Sequence, residues 1–264
     1  MTMPSTAQTR VQYDQIAHLY DAQPYREKKV DPHLLAFLRQ QPADTPSSLA
    51  ILDLCCGTGN QLVVNRSLLS QARLVGLDLS YEMLAQAHRK AQDILWVQAD
   101  SSRPPFLDQR FDFISNQFAF HHVHDKEAML TAMFRLLRSG GQFVMINLAP
   151  HEMPGWIYYR YFPTALTREL QDFLPHDVIV AMLRQLGFVN VTWTLDHTTT
   201  EQDLQQFLDI VCQRDTCSQL LTISDQAYQA GLQQIGNELR QGHRMVATED
   251  CLLTVCAEKP CGLG

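Results

Sequence analysis

The chain lacks long hydrophobic runs and has no excess of positive charge. None of its 264 residues lies in an apolar stretch approaching the roughly 18 residues that a membrane-spanning helix needs. Asp and Glu outnumber Lys and Arg by 28 to 21, which gives a formal net charge of −7. A chain of this charge has no general attraction for phosphate backbones, so we expect neither a membrane span nor a nucleic-acid partner.

Cysteine pairing motifs are also missing. The seven cysteines are an odd number, and no two of them have C-x-x-C spacing. In a chain of this length, that pattern is typical of reduced thiols and not of a disulfide scaffold. The segment Met1 to Tyr13 lacks the apolar core of a secretory signal, so we expect a cytoplasmic protein.

The two common phosphate-binding glycine patterns, G-x-G-x-x-G and G-x-x-x-x-G-K-[ST], are absent from the first glycine turn. An apolar run from Leu49 to Leu54, broken only by Asp53, is followed instead by Gly57 and Gly59. This pattern predicts a strand, a tight turn and a helix start, with no Cβ to keep a ligand away. A buried carboxylate is costly unless it is paired. Asp53 is therefore either a ligand-binding residue or a structural cap of this corner.

Further polar residues end the next predicted strands. Asp78 follows the apolar run 74–77, Asp100 follows the run 94–98, and Asn116 ends the run 111–116. The carboxyl ends of parallel strands form the usual ligand-binding edge of an open α/β sheet. We therefore expect Asp53 and these three residues to surround one ligand.

The alternation of strands and helices predicts an α/β fold with a doubly wound, mostly parallel, seven-stranded sheet. We divide the chain into a helical leader (1–47), a Rossmann-like core (48–150) and a third region (151–264). The third region completes the sheet and is expected to cap the side of the site that faces the second reactant. A helical insertion is predicted at about 200–245. The predicted strands are 49–54, 73–77, 94–98, 111–116, 142–148, 188–193 and 251–259, and the predicted helices include 61–70, 80–91, 125–137, 176–186, 201–212 and 224–241.

Three passages carry a family resemblance. The D-x-x-x-G-x-G pattern at 53–59 resembles motif I of the class I S-adenosylmethionine (SAM)-dependent methyltransferases, with Cys55 in place of the family's first glycine. The segment 13–21 resembles the F/Y-D-x-x-A-x-x-Y-D leader of small-molecule members such as the ubiquinone and menaquinone C-methyltransferases. The passage 134–141 is similar to the family's R-v-L-k-P-G-G, with Ser139 replacing proline.

The resemblance implies SAM as the cofactor and assigns candidate contacts to it. The amino-acid part of SAM would be held by Asp53, Cys55, Gly57 and Gly59, the ribose by Asp78, the adenine by Asp100 and Ser101, and the reactive methyl would lie near Asn116. Leu79 and Met83 are candidates to pack on the adenine, although for Met83 a place in the helix core fits equally well.

Aromatic residues and two histidines are the candidates for the acceptor side. Leader residues Tyr13 and Tyr20, together with Phe118, Trp156 and Tyr159, would form the wall of a pocket for a flat or apolar small molecule, or would only pack helices. His121 and His122 would act as a general base or would only position the acceptor. Adjacent residues on a strand point in opposite directions, so we expect no metal site there.

These observations favour a SAM-dependent methyltransferase that acts on a small, apolar or aromatic acceptor. A SAM-binding enzyme of the same fold that catalyses a cyclisation, rearrangement or decarboxylation is an alternative, because fold does not fix chemistry. A non-catalytic SAM-binding subunit is a further alternative, given Cys55 in the glycine turn.

Overall fold

Strands and helices alternate along the chain in the computed structural model, which describes residues 13–22, 26–42, 49–69, 72–214 and 217–262. The strands are β1 (Ala50–Leu54), β2 (Arg73–Asp78), β3 (Leu95–Gln98), β4 (Phe111–Gln117), β5 (Leu137–Leu148), β6 (Val189–Asp203) and β7 (Met245–Glu258). The helices are α1 (Tyr13–Tyr20), α2 (Pro32–Arg39), α3 (Asn60–Asn65), α4 (Tyr81–Lys90), α5 (Lys126–Leu136), α6 (Ile157–Tyr161), α7 (Pro163–Asp172), α8 (His176–Gln185), α9 (Leu204–Val211), α10 (Ser218–Leu221) and α11 (Asp225–Arg240).

All seven strands form one sheet, in the order β3-β2-β1-β4-β5-β7-β6. β1 to β5 are parallel, and β7 runs antiparallel to both β5 and β6. Every residue of β1 is buried, as expected for a central parallel strand that is covered on both faces. Leu52 contributes to the core on one face and Ile51 to the core on the other. The predicted doubly wound α/β fold with seven strands is confirmed.

Two helix starts follow from capping residues in the sequence. The Asp31 carboxylate accepts hydrogen bonds from the backbone N–H groups of His33 and Leu34, and Pro32 opens α2. The Ser80 hydroxyl accepts a bond from Met83 N at the start of α4. Both are ordinary N-cap arrangements that satisfy backbone donors left free at a helix start. Apolar residues at roughly helical spacing also predict a leader helix from Gln8 to about Tyr20, and residues 8–12 of that span lie outside the described residues.

Two predicted boundaries in the core are wrong. The glycines 140 and 141 were expected to end a helix, but they lie inside β5, where the pairing shifts from Phe111–Leu137 to Phe113–Gln142. Gly140 has a φ of +75° at this irregularity, a conformation that glycine adopts without strain. The helix predicted at 61–70 is shorter, because α3 ends at Asn65 and a 3₁₀ turn follows at 66–68.

The last two strands are much longer than predicted. β6 continues past Trp193 to Asp203, and β7 begins at Met245 instead of Cys251. The extra part of β6 has polar residues on both faces, so it lacks the apolar alternation by which strands are recognised. α9, α10 and α11 form the predicted helical insertion between the two strands. Within the described ranges, none of the helices is both long and apolar enough to cross a bilayer.

Candidate active site

Asp53 lies near the end of β1 and is almost completely buried. Its Oδ1 accepts a hydrogen bond of 2.7 Å from Ser115 Oγ on the neighbouring strand β4. Burial raises the pKa of this carboxyl to about 7, although the Ser115 hydrogen bond and the charge of Lys28 partly oppose that rise. A carboxyl of this kind ionises readily when a cationic ligand arrives beside it.

The turn after β1 has the left-handed backbone that a glycine motif provides. Cys55 has a φ of +58°, Gly57 of +54° and Gly59 of +74°. A Cβ placed on Gly57 would meet no atom within 4 Å, so this position borders open space. The turn therefore forms even though Cys55 replaces the first glycine, at the strain cost that a non-glycine residue pays in this region.

Gly59 is needed for a different reason from the one the sequence suggested. A Cβ placed on Gly59 would lie only 2.4 Å and 2.8 Å from two ring atoms of Trp96, a residue of β3. The absence of a side chain at Gly59 thus makes room for a tryptophan. The contact of Gly59 with a ligand stays a prediction.

Asp78 ends β2 and holds the glycine turn in place. Its Oδ2 accepts a bond of 2.7 Å from Gly57 N, and its Oδ1 accepts one of 2.9 Å from Ser80 N. Burial raises the pKa of this carboxyl, and its backbone hydrogen bonds oppose that rise. Each carboxylate oxygen can accept a further bond, so Asp78 can still bind hydroxyl groups of a ligand. Leu79 beside it is 60% exposed, whereas Met83 is 1% exposed and belongs to the helix interior.

The segment after β3 contributes Asp100 and Ser101. Asp100 Oδ1 accepts bonds from both the backbone and the hydroxyl of Ser102, and its side chain is exposed. Ser101 is buried, and its hydroxyl hydrogen-bonds the Cys55 thiol, whose pKa is raised to about 12, chiefly by burial. Cys55 is therefore a neutral thiol, and its hydrogen bond with Ser101 connects the turn after β1 to the turn after β3.

Asn116 has an unsatisfied acceptor at the centre of this edge. Its side chain is fully buried, and Nδ2 donates a bond of 2.8 Å to Leu54 O at the end of β1. Its Oδ1 is buried without a donor from any residue that the structure describes. A buried acceptor without a donor is costly, so a ligand that brings an N–H group would stabilise this site.

The leader helix α1 closes over the same edge. Tyr13 OH lies 2.6 Å from His122 Nε2, and Asp14 Oδ1 accepts a bond of 2.5 Å from Ser80 Oγ. Just after the helix, Asp21 Oδ1 accepts bonds from Thr58 Oγ1 at 2.7 Å and from Asn60 Nδ2 at 2.8 Å. Three separate contacts thus fix the leader over the glycine turn and the start of α4. Tyr13 also packs edge-to-face against Tyr20.

Arg26 and Lys28 reach the site, which the sequence reading missed. The short run of charged residues at 26–29 predicts a solvated helix face, but Arg26 and Lys28 are half-buried, whereas Glu27 and Lys29 are exposed. Lys28 Nζ donates to Gln117 Oε1 at 3.3 Å and lies 4.7 Å from the ring centre of Phe118, which has a φ of +55°. Arg26 donates to Tyr20 OH at 2.6 Å. The alternation of exposure indicates an extended segment, and this was the available signal.

The two histidines differ in their surroundings. They lie in a 3₁₀ turn after β4, and their ring centres are 3.8 Å apart, so the expectation that they point in opposite directions is wrong. His121 stacks on Phe173 and hydrogen-bonds Asn147, and burial holds its pKa well below the usual value. His122 instead contacts Tyr13 of the leader. The described residues contain no group of three or more metal-binding side chains.

The aromatic segment forms part of a buried polar network. Tyr159 is 4% exposed, and its hydroxyl donates to Oε2 of Glu169 on α7. Gln219 Nε2 donates to Glu169 Oε1 at 2.7 Å, and the Cys217 thiol donates to Gln219 Oε1 at 2.7 Å. Burial raises the pKa of Glu169 to about 7. Tyr159 thus supports the cap from inside, while the half-buried Trp156 packs against its ring at 5.1 Å.

Comparison with known proteins gives a family match for the core. Residues 51–141 match the family model described as a methyltransferase domain. A demethylmenaquinone methyltransferase from Lactiplantibacillus plantarum is 26% identical over 171 residues, which are 55% of this chain and 72% of that protein. A 2-phytyl-1,4-naphtoquinone methyltransferase from Thermosynechococcus vestitus is 28% identical over 201 residues, which are 68% of this chain and 89% of that protein. For several Listeria relatives, the aligned part spans only 52% of their length.

Solved structures share the fold at low sequence identity. A protein from an antibiotic biosynthesis pathway of Anabaena variabilis has a TM-score of 0.62 at 16% identity, covering 94% of this chain and 99% of that one. A phosphoethanolamine N-methyltransferase 2 from Haemonchus contortus, solved with S-adenosyl-L-methionine, has a TM-score of 0.58 at 18% identity, covering 94% of this chain and 57% of that one. These likenesses concern the architecture.

Proposed function

We propose that this chain, which belongs to the class I SAM-dependent methyltransferases, transfers the methyl group of SAM to a small, planar, apolar acceptor of the quinol type. The observation that carries the proposal is the arrangement of Asp53, Asp78 and Asn116 at the carboxyl ends of adjacent strands, with one buried acceptor atom still unsatisfied. The quinone substrates named for the relatives support the choice of acceptor class.

The residues of this edge fit the charges and donors of SAM. The ammonium of the amino-acid part of SAM would meet the Asp53 carboxylate and bring a donor to Asn116 Oδ1. Lys28, whose charge acts on Asp53, would attract the carboxylate of SAM. Open space at Gly57 lets the ligand approach the backbone there. Asp78 would accept bonds from the ribose hydroxyls, as acids at this strand end do in related folds. Asp100 and Ser101 would flank the adenine, with the exposed Leu79 beside it.

SAM supplies an electrophilic methyl group when it is bound, so the protein has to align a nucleophile and exclude water. The leader would do the second task, through the contact of α1 with Ser80 and through the bonds that Asp21, just after α1, accepts from Thr58 and Asn60. Phe118, Tyr20 and Trp156 would supply apolar surface for a flat acceptor. Tyr159 would act one layer behind them, because its hydroxyl is already bonded to Glu169.

Tyr13 and His122 are suited to moving the proton of an acceptor hydroxyl. Burial raises the pKa of Tyr13, so its hydroxyl stays protonated, and it lies 2.6 Å from His122 Nε2, to which it donates in the tautomer that leaves this nitrogen without a hydrogen. As the acceptor hydroxyl loses its proton to the Tyr13 oxygen, Tyr13 would pass its own proton to His122. His121 would position this pair, because it is buried, neutral and stacked on Phe173.

Calorimetric titration with SAM and with S-adenosylhomocysteine, followed by incubation with SAM and reduced naphthoquinones, tests the proposal. We expect micromolar binding of both ligands and a product heavier than the acceptor by one methylene unit. Binding without a mass increase on quinols, simple phenols or carboxylates would contradict methyl transfer to this acceptor class. Absence of binding by the folded protein would contradict the cofactor site itself.

A further inference from the structure

β6 forms an exposed edge of the sheet along its whole length. Among the residues that the structure describes, it pairs only with β7, and the register from Thr192 to Asp203 is uninterrupted. From Thr194 to Glu201 its side chains are exposed on both faces, with Leu195 only half-buried. A long uncovered edge presents a row of free backbone donors and acceptors to any other strand.

The backbone groups that face outward can be identified from the pairing. Ala149 N donates to Cys251 O and Glu249 N donates to Gly155 O, so the odd-numbered residues of β7 direct their backbone groups away from β6. The even-numbered residues of β7 therefore bond to β6, and the register pairs them with even-numbered residues such as Thr194 and Thr198. The N–H and C=O groups of the odd-numbered β6 residues from 195 to 201 consequently point away from β7, toward the open side of the strand.

The usual devices that protect an edge strand are missing here. Between Val189 and Asp203 there is no proline, lysine or arginine, and the only irregularity lies at its start, between Val189 and Thr192. The opposite edge of the sheet, β3, is only four residues long. Natural edge strands are commonly short, interrupted or rich in charge, especially lysine; between Thr192 and Asp203, β6 is long and uninterrupted, and its charged residues Asp196, Glu201 and Asp203 are all acidic.

We propose that β6 pairs with β6 of a second copy of this chain across a two-fold axis, extending the sheet through both subunits. The axis passes beside Thr199, which lies opposite its own copy. In this register His197 lies opposite Glu201 of the second copy, and the symmetry produces that complementary pair twice. Thr198 lies opposite Thr200, and such Thr pairs are favourable in sheets.

Charge complementarity selects this register among those that the backbone permits. Outward-facing residues are odd-numbered, so an antiparallel self-pairing joins odd to odd. A register centred on Asp196 would place two carboxylates directly opposite each other, which is destabilising. A register centred on Thr200 would oppose His197 to Asp203, but the Asp203 carboxylate already caps α9 by accepting from Gln206 N. The register centred on Thr199 avoids both conflicts.

Sedimentation velocity on the wild type, Thr199→Pro and Thr199→Val tests the interface. Proline removes an outward N–H that the β7 ladder does not use, and edge strands tolerate proline at such positions. Valine keeps the N–H and the β-branched shape. We expect dimers for the wild type and Thr199→Val at micromolar concentration, and a monomer for Thr199→Pro with unchanged SAM binding. A monomeric wild type, or a Thr199→Pro variant that remains dimeric, would overturn the proposal.

Disulfide trapping tests the register without relying on proline. Residues opposite each other in a bonded antiparallel pair have Cα atoms about 5.5 Å apart, within the usual range for a disulfide. With the exposed Cys212 and Cys261 changed to serine, Thr199→Cys should form a covalent dimer on mild oxidation. Thr198→Cys should not form a covalent dimer, because residue 198 lies opposite residue 200 of the second copy and only diagonally from residue 198 of that copy. Equal cross-linking of both variants, or of neither, would refute this register.

Discussion

The Tyr13 hydroxyl lies 2.6 Å from His122 Nε2, and this contact joins the leader helix to the turn that follows β4. Tyr13 lies in α1, which is followed by α2 and then by the first strand, whereas His122 follows the fourth strand in the chain. In the proposed mechanism, the acceptor side of the site is therefore completed only when the leader is in place, and docking of the leader also brings Tyr13 to His122.

Replacing Tyr13 by phenylalanine tests the role of that pair. The ring still packs against Tyr20, but the proton path to His122 is lost. We expect kcat to fall by about 10²-fold, the lower end of what general acid–base catalysis contributes, with SAM affinity nearly unchanged. His121→Asn keeps both members of the pair and removes only the residue proposed to position them, so we expect a smaller loss of kcat for it than for Tyr13→Phe. Equal losses in SAM affinity and in kcat for Tyr13→Phe would show that Tyr13 only holds the leader.

The affinity for SAM should depend on pH through Asp53. Burial raises the pKa of Asp53 from 3.8 to about 7 in the free protein. A cationic ligand favours the carboxylate, so below pH 7 binding must first remove a proton. We expect affinity to rise about tenfold per pH unit up to pH 7 and to level off above it. Calorimetry across this range, compared with Asp53→Asn, checks the assignment. A pH dependence that persists in Asp53→Asn would assign it to another group.

The raised pKa of Asp53 also makes the free energy of unfolding depend on pH, in the direction opposite to that expected for SAM affinity. Because the folded-state pKa of Asp53 lies above its value of 3.8 in the unfolded chain, the folded state binds the proton more tightly. The free energy of unfolding should therefore decrease as pH rises from about 4 to 7 and then stay constant. Denaturant unfolding of the wild type and of Asp53→Asn, which cannot titrate, isolates this contribution. A wild type that gains stability relative to Asp53→Asn over that range would contradict it.

Asp78 should contribute to both cofactor binding and the stability of the turn. Asp78→Ala removes the proposed ribose contact, which should weaken SAM binding by about 1–3 kcal/mol, the scale of a charge-assisted hydrogen bond. It also removes the acceptors of Gly57 N and Ser80 N, so thermal stability should fall as well. Asp78→Asn keeps one acceptor and should lose less of each. Wild-type affinity in Asp78→Ala would refute the ribose assignment.

The fold was largely predictable because its signals are local. Apolar runs such as 49–54 predict buried strands, and Asp31 and Ser80 mark helix starts through their own side chains. Most residues of the proposed cofactor edge could be predicted in the same way, since the carboxyl ends of parallel strands meet at one edge of the sheet. The residues that were missed depend on tertiary contacts. Lys28 reaches Gln117 across 89 positions, and the Thr-rich part of β6 becomes a strand only because β7 pairs with it.

Gly57 and Gly59 should respond differently to the same substitution. Alanine at Gly57 meets no neighbour, so the cost is the positive φ alone, about 1–2 kcal/mol, and the larger Gly57→Val should abolish SAM binding by blocking backbone approach. Alanine at Gly59 adds an overlap with the Trp96 ring, and overpacking raises its cost to about 2–4 kcal/mol. Gly59→Ala should therefore lower the melting temperature more than Gly57→Ala does.

A double-mutant cycle with Trp96 separates the two contributions at Gly59. Trp96→Phe shortens the ring that a Cβ at Gly59 would strike at 2.4 Å. If the overlap is the cause, Gly59→Ala should destabilise the Trp96→Phe background less than the wild type, with a coupling energy of about 1 kcal/mol or more. Additive effects on unfolding would mean that Gly59 is required for its backbone angle and not for the tryptophan. The same cycle with Gly57→Ala should be additive, because a Cβ at Gly57 meets no atom within 4 Å and therefore does not contact Trp96.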